Sequence, residues 1–264
     1  MTGVGKRRVV LSLDQGISWL ARHWLLVINL AMGLFIGGTL LPPVLMKLGL
    51  DGPARLGYSF YSLSCHQLPE RSYYLFGPGS IDTYGLDEVM AQGADPGNLR
   101  RFVGDEQMGF KLGMAQRNTA IYTTFLLAGL GLGLIRRRGR KLPRLRWPLF
   151  LLLILPMALD GGSHMFSEVS GLAFRESNAW LAALTNHSLS TTFYTGTTLG
   201  SFNWLMRTIT GALFALACVW FLYPYLAQGF ADIARQAQRQ IARAERRRPA
   251  APLTLKTDSM TGED

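Results

Sequence analysis

Residues 24–46 hold only two polar side chains, Asn29 and Thr39, and this run limits the chain more than any other feature. At a helical rise of 1.5 Å per residue it covers roughly 34 Å, enough to cross the hydrocarbon of a bilayer. Inside lipid every backbone polar group must find its partner within the segment, so the run is expected to be a helix. Pro42 and Pro43 are expected to kink or fray its far end. Three further runs follow, at residues 119–135, 147–166 and 204–226. The second is short and relies on Arg136, Arg137 and Arg138 reaching out to headgroups. The third stays apolar only to Leu159, so crossing requires continuation through Asp160 to Phe166. With 48% apolar and 17% charged residues, lipid must take up much of the apolar surface. The expected fold is all-α: a polytopic helical membrane protein with four transmembrane helices.

Charge sets the expected orientation. Arg136, Arg137, Arg138, Arg140, Lys141, Arg144 and Arg146 lie between the second and third runs without one acidic residue. Short connections rich in Lys and Arg stay on the cytoplasmic side. Lys6, Arg7 and Arg8 and the tail beyond residue 226 are also basic, whereas residues 51–118 carry eight acidic against six basic side chains. Both termini are therefore expected inside, in a multi-pass protein of the inner or plasma membrane. The division that follows is a cytoplasmic segment 1–23, a membrane domain 24–226 with outer loops 48–118 and 167–203, and a basic cytoplasmic tail 227–264. The N-terminal run reads as an uncleaved signal anchor, being too long for a signal peptide's apolar core. The net charge of +10 is concentrated beside the apolar runs, which assigns it to anionic headgroups at the inner face and not to nucleic acid. Arg235, Arg239 and Arg243, four apart, line one face of a helix continuing past the fourth run. Residues 249–264, polar and Pro-bearing, read as disordered.

The first outer loop is too long to be an unstructured connection. Its Tyr58, Phe60, Tyr61, Tyr73, Tyr74 and Phe76 are expected to lie on the bilayer surface and pack over helix ends, and its Gly- and acid-rich middle, 77–105, to vary freely. Its acidic surface could meet a membrane-protein partner or a second copy of the chain. Cys65 is expected outside and Cys218 deep in the fourth helix, too far apart for a disulfide.

The candidate site collects on the outer side. Cys65, His66 and Arg71 fall in the first outer loop, Arg117 at the start of the second helix, Asp160 and His164 near the end of the third, Arg207 at the start of the fourth, and His187 in the second outer loop. Ionisable groups at membrane depth are costly and pair with one another or line polar cavities. Asp160 and Arg207, at comparable depth, are expected to form an ion pair. Arg71 and Arg117 would stand opposite, and guanidinium groups hold phosphate or carboxylate through paired hydrogen bonds. Asp160 and His164 are four apart and share a face, although Gly161-Gly162 is expected to interrupt the helix. Together with Cys65 and His66 they form a set that could bind zinc or a similar divalent metal. His66, His164 and Asp160 are the candidates for moving a proton.

The stretch Ser64-Cys65-His66-Gln67-Leu68-Pro69-Glu70-Arg71-Ser72-Tyr73 resembles a family of bacterial and archaeal predicted membrane proteins known only as a domain of unknown function, marked by Cys-His-x-x-Pro-x-Arg-Ser and an aromatic. The similarity continues at Ala115-Gln116-Arg117-Asn118, at Pro156 through Asp160-Gly161, and at Gly200-Ser201-Phe202-Asn203 with Arg207, Thr210 and Gly211. The resemblance implies a small helical membrane domain and brings no activity with it. Many members carry cysteine beside the counterpart of Arg117; Ala115 and Asn118 stand there in this chain, which argues against metal ligation and thiol exchange. The leading expectation is an arginine-lined outer pocket for an anionic lipid-linked or small-molecule group, formed by Arg71, Arg117, Arg207 and Asp160. The rivals are a membrane metalloprotein using Cys65, His66, Asp160 and His164, and a structural or assembly partner without a site.

Overall fold

The structure, a computed structural model, describes residues 3–140 and 143–246. Lys141 of the basic block and the tail 249–264 lie outside the described residues. Two compact units are present, one spanning Leu25–Leu226 and the other combining Met1–Trp24 with Ala227–Asp264. Among the described residues, four helical stretches are long and apolar enough to cross a membrane: Leu11–Lys47, Gln116–Arg137, Trp147–Ser170 and Phe202–Ala244.

In the smaller unit the N-terminal part of α1 (Gly3–Gly37) packs against the C-terminal part of α10 (Phe202–Arg246). Ala21, Ala234 and Ala237 are buried there, and the rings of Trp24 and Phe230 stack at 5.4 Å. Small residues allow this close approach. Arg235, Arg239 and Arg243 line one groove of the helix, and Asp232 pairs with Arg235. The basic segment after residue 226 is thus a direct continuation of α10.

In the larger unit α1 does not fray at the prolines. A 3-10 turn, Gly38–Leu40, breaks the hydrogen-bond ladder, and α2 (Leu41–Lys47) restarts with Pro42 in its first turn, where a missing N–H costs nothing. Next come α3 (Asp51–Ser62), a 3-10 turn Pro69–Arg71, β1 (Ser72–Leu75), α4 (Leu86–Ala91), a second 3-10 segment Pro96–Arg101, β2 (Gly104–Asp105) and β3 (Gly109–Ala115). β3 leads directly into α5 (Gln116–Arg137). After α6 (Trp147–Ser170), the short helices α7 (Phe174–Ser177), α8 (Ala179–Leu184) and α9 (Thr191–Tyr194) lead to α10.

The described residues are mostly helical, as expected, and three short strands add a small sheet. They form an antiparallel sheet in the order β1-β3-β2, with Leu75 opposite Phe110 and Asp105 opposite Gly109. β3 is buried on both faces from Gly109 to Met114, so its sequence lacks the polar-apolar alternation that marks a half-exposed strand. α2 and α3 pack against it. The Tyr58 hydroxyl donates to the Lys111 carbonyl at 2.6 Å, and the Tyr61 hydroxyl to the Phe35 carbonyl at 2.8 Å. Tyr61 also lies over Gly113, where a Cβ would approach its ring to 2.9 Å. Tyr58, Tyr61 and Tyr74 are therefore core residues, while Phe60 and Phe76 are exposed. Residues 77–105, expected to vary freely, carry α4, a 3-10 segment and an edge strand.

On α1, Leu26, Leu30 and Leu34, four apart, are exposed by 60%, 60% and 68%, an apolar stripe suited to lipid contact. The opposite side carries Asn29, whose Oδ1 abuts Gly129 of α5; a Cβ at Gly129 would overlap it. This is how the glycine run of α5 admits a neighbouring helix. α6 runs unbroken through Pro156 and Gly161-Gly162. That corrects the expected interruption: the hydrogen-bond ladder of a helix in an apolar setting outweighs the propensity cost of two glycines.

Candidate functional site

Asp160 is the centre of the site. Its side chain is 1% exposed, and α6 places it one turn before His164. The Arg117 Nη2 donates to Oδ2 at 2.6 Å and the Arg175 Nη2 to Oδ1 at 2.6 Å. The Thr210 hydroxyl adds a longer contact at 3.4 Å. The expected Asp160–Arg207 ion pair is corrected here, because both oxygens of the carboxylate are occupied by other arginines. A lone buried carboxylate would be costly; two charge-assisted hydrogen bonds offset that cost.

Arg117 reaches Asp160 because two helices leave it room. A Cβ on Gly161 would sit 3.0 Å from its Nη1, and one on Gly211 would sit 3.1 Å from its backbone oxygen. Arg175 was not a predicted site residue. It is nevertheless the only Lys or Arg between Arg146 and Arg207, and that isolation was the available signal. Burial on α7 pulls its guanidinium pKa below the ordinary range, against the opposing pull of Asp160. Its Nη2 also donates to His164 Nε2 at 3.1 Å. Arginine only donates, so His164 must accept through Nε2 and is neutral with its proton on Nδ1. That geometry engages the lone pair His164 would need as a base.

Arg207, on the first turns of α10, is 3% exposed, and its two terminal nitrogens have no hydrogen-bond partner among the described residues. Arg71, Arg117, Asp160 and Glu70 are the charges acting on it. It lines a cavity of about 430 Å³ together with Cys65, His66, Arg71, Arg117 and His164. Glu168, also on the wall, pairs with Arg71. Burial lowers the Arg71 pKa from its ordinary value, and Arg117 lowers it further while Glu70 opposes. The wall thus carries three guanidiniums against one carboxylate.

Metal does not suit this geometry. Among the described residues no group of three His, Cys, Asp or Glu side chains could hold an ion. Cys65 Sγ is turned to the β3 end, accepting the Gln67 and Ala115 N–H groups at 3.4 and 3.3 Å. His66 is exposed and reaches the site only at the cavity rim. Asp160 and His164 both already serve Arg175. Asn118 donates to the Ser64 carbonyl at 2.9 Å. His187 is exposed and away from the cavity. Cys65 and Cys218 are both free thiols.

Four helices long and apolar enough to cross a membrane define the class, an integral, multi-pass helical membrane protein, and three of them bring residues to the buried ionic cluster. Residues 106–221 match the model of a family described as a predicted membrane protein, DUF2085, a domain of unknown function. The matched segment contains Arg117, Asp160, His164, Arg175 and Arg207, and begins after Cys65–Tyr73. No curated protein and no solved structure matches the chain.

Proposed function

We propose that the chain is a membrane receptor for an anionic group of the phosphate or carboxylate kind, carried on a lipid or a small molecule. The carrying observation is Arg207: a buried guanidinium whose terminal nitrogens have no partner among the described residues and which lines a cavity also walled by Arg71 and Arg117. A buried guanidinium whose terminal N–H groups lack acceptors is expensive, and a bound anion would supply the missing hydrogen bonds. Arg207 is the principal anion contact in this reading, with Arg71 and Arg117 beside it. Asp160 acts as a positioning residue that holds Arg117 and Arg175. The cavity lies at the Gln116 end of α5, opposite the Arg136–Arg138 end, so the positive-inside rule supports an opening on the outer face.

The test is native mass spectrometry of the detergent-purified full chain with phosphatidylglycerol, compared with Arg207→Leu. Wild type should retain the lipid, and the variant should lose affinity at least about tenfold while keeping its melting temperature. Equal retention by both proteins, or a variant that unfolds, would overturn the reading in favour of an architectural charge.

A further inference from the structure

A second cavity, of about 760 Å³, adjoins the first in the same unit. Leu68, Arg71 and Glu168 line both, so the Arg71–Glu168 ion pair forms part of the partition between them. The charge on its walls is opposite. Glu70, Asp87, Glu88, Glu168 and Glu176 stand against Arg71 and Arg175, five carboxylates to two guanidiniums.

Two buried acceptors on these walls have no hydrogen-bond partner among the described residues. Asn203 is 1% exposed, and its Nδ2 donates to the carbonyls of Arg175 and Gly196 at 2.6 and 2.8 Å. Those two donations fix the orientation of the amide, so the atom left over is the acceptor Oδ1. Glu70 is 8% exposed; its Oε1 lies 3.4 Å from Arg71 Nε, and its Oε2 is unpartnered. Arg71 and Arg175, on the same walls, each leave Nε without a hydrogen-bond partner among the described residues, Arg71 Nε lying 3.4 Å from Glu70 Oε1, so the two orphan acceptors stand beside two orphan donors. A group that satisfies Asn203 Oδ1 and Glu70 Oε2 must bring N–H or O–H donors, and the surplus of five carboxylates over two guanidiniums favours one that is positively charged.

We infer that this acidic cavity takes a primary-ammonium group, and that the two cavities together hold one zwitterionic ligand, its ammonium near Glu70 and Asn203 and its anion on Arg207. Phosphoethanolamine has this chemistry, either as a lipid headgroup or as a soluble phosphodiester. The zwitterionic part of the inference rests on the anion reading above. The acidic cavity stands on its own walls.

The experiment is calorimetric titration of the detergent-solubilised full chain with glycerophosphoethanolamine and glycerophosphoglycerol, two phosphodiesters of similar size that differ in the ammonium group. Native mass spectrometry with phosphatidylethanolamine and phosphatidylglycerol repeats the comparison for the lipid source. Wild type should prefer the ammonium form by about tenfold, the scale of one charge-assisted hydrogen bond. Glu70→Gln should bring the preference near unity. Asp87→Asn, at an exposed position outside the core, should reduce it in part. Arg207→Leu should lose both ligands. Equal wild-type affinities, or a preference that survives both acidic-site variants, would overturn the inference and leave the anion site standing. Were neither phosphodiester nor either lipid to bind, the anion reading would fail, and ethanolamine alone would decide: saturable binding lost in Glu70→Gln upholds the ammonium cavity, and no binding overturns it.

Discussion

Lys111 and Arg207 are both buried cations, and the molecule treats them in opposite ways. Lys111, in the middle of β3, is 0% exposed and has no carboxylate partner among the described residues; its Nζ donates to the carbonyls of Gln67 and Arg100 at 2.9 and 2.8 Å and lies 5.9 Å from the Tyr58 ring centre. It ties the Cys65–Arg71 turn and the 3-10 segment Pro96–Arg101 to the sheet. Arg207 is almost as deeply buried, yet its terminal nitrogens reach no acceptor among the described residues. A cation saturated by backbone oxygens fixes a fold. One kept short of partners beside a cavity is poised for a ligand.

The largest expected effect comes from the carboxylate that separates these two cases. Asp160→Ala strands Arg117 and Arg175 together, and should cost about 3–5 kcal/mol in reversible denaturation of the solubilised protein. A loss below 1 kcal/mol would mean the cluster is wet and loosely paired. Lys111→Ala comes next: two carbonyls lose their donor and a cavity opens, for an expected loss of about 2–4 kcal/mol. An unchanged melting temperature would remove Lys111 from the architecture and break the contrast with Arg207.

The pH dependence sharpens the same contrast. Burial lowers the Lys111 pKa from 10.5 to about 7. The unfolded chain then binds more protons than the folded one between these values, so stability should rise as pH increases from about 7 to 10.5 and fall on the way back down. Lys111→Met should flatten that slope over the same window, and an identical slope in both proteins would assign it to other groups. Arg207→Leu, by contrast, should leave unliganded stability unchanged or raise it by about 1 kcal/mol, since it removes buried N–H donors that have no acceptor among the described residues. The smallest effect belongs to Cys65→Ser. Its sulfur only accepts two long N–H contacts, so unfolding should shift by less than about 1 kcal/mol and ligand retention should not change.

Most of the arginine cavity was legible in the sequence because ionisable residues are rare beside apolar runs. Arg71, Arg117, His164 and Arg207 each stood out against that background, and all four line one cavity. The pairing was not legible. Depth along a helix follows from rise per residue, but rotation about the helix axis follows from packing, and it was rotation that gave Asp160 to Arg117 and Arg175 instead of Arg207. Arg175 itself sat on a four-residue helix with no periodic signal. The sheet was hidden for a related reason, since a strand covered on both faces shows no alternation and β3 carries a lysine where a core residue would be expected.

The apolar runs and the basic block were enough to determine a helical membrane protein with four candidate spans, because lipid leaves a long apolar segment few ways to satisfy its backbone. Which charges meet, which stay unpaired, and that a glutamate-rich cavity adjoins the arginine one were decided only by tertiary structure. Those outcomes depend on charged side chains brought into contact from positions 15, 43 and 97 residues apart, and no local pattern records such contacts.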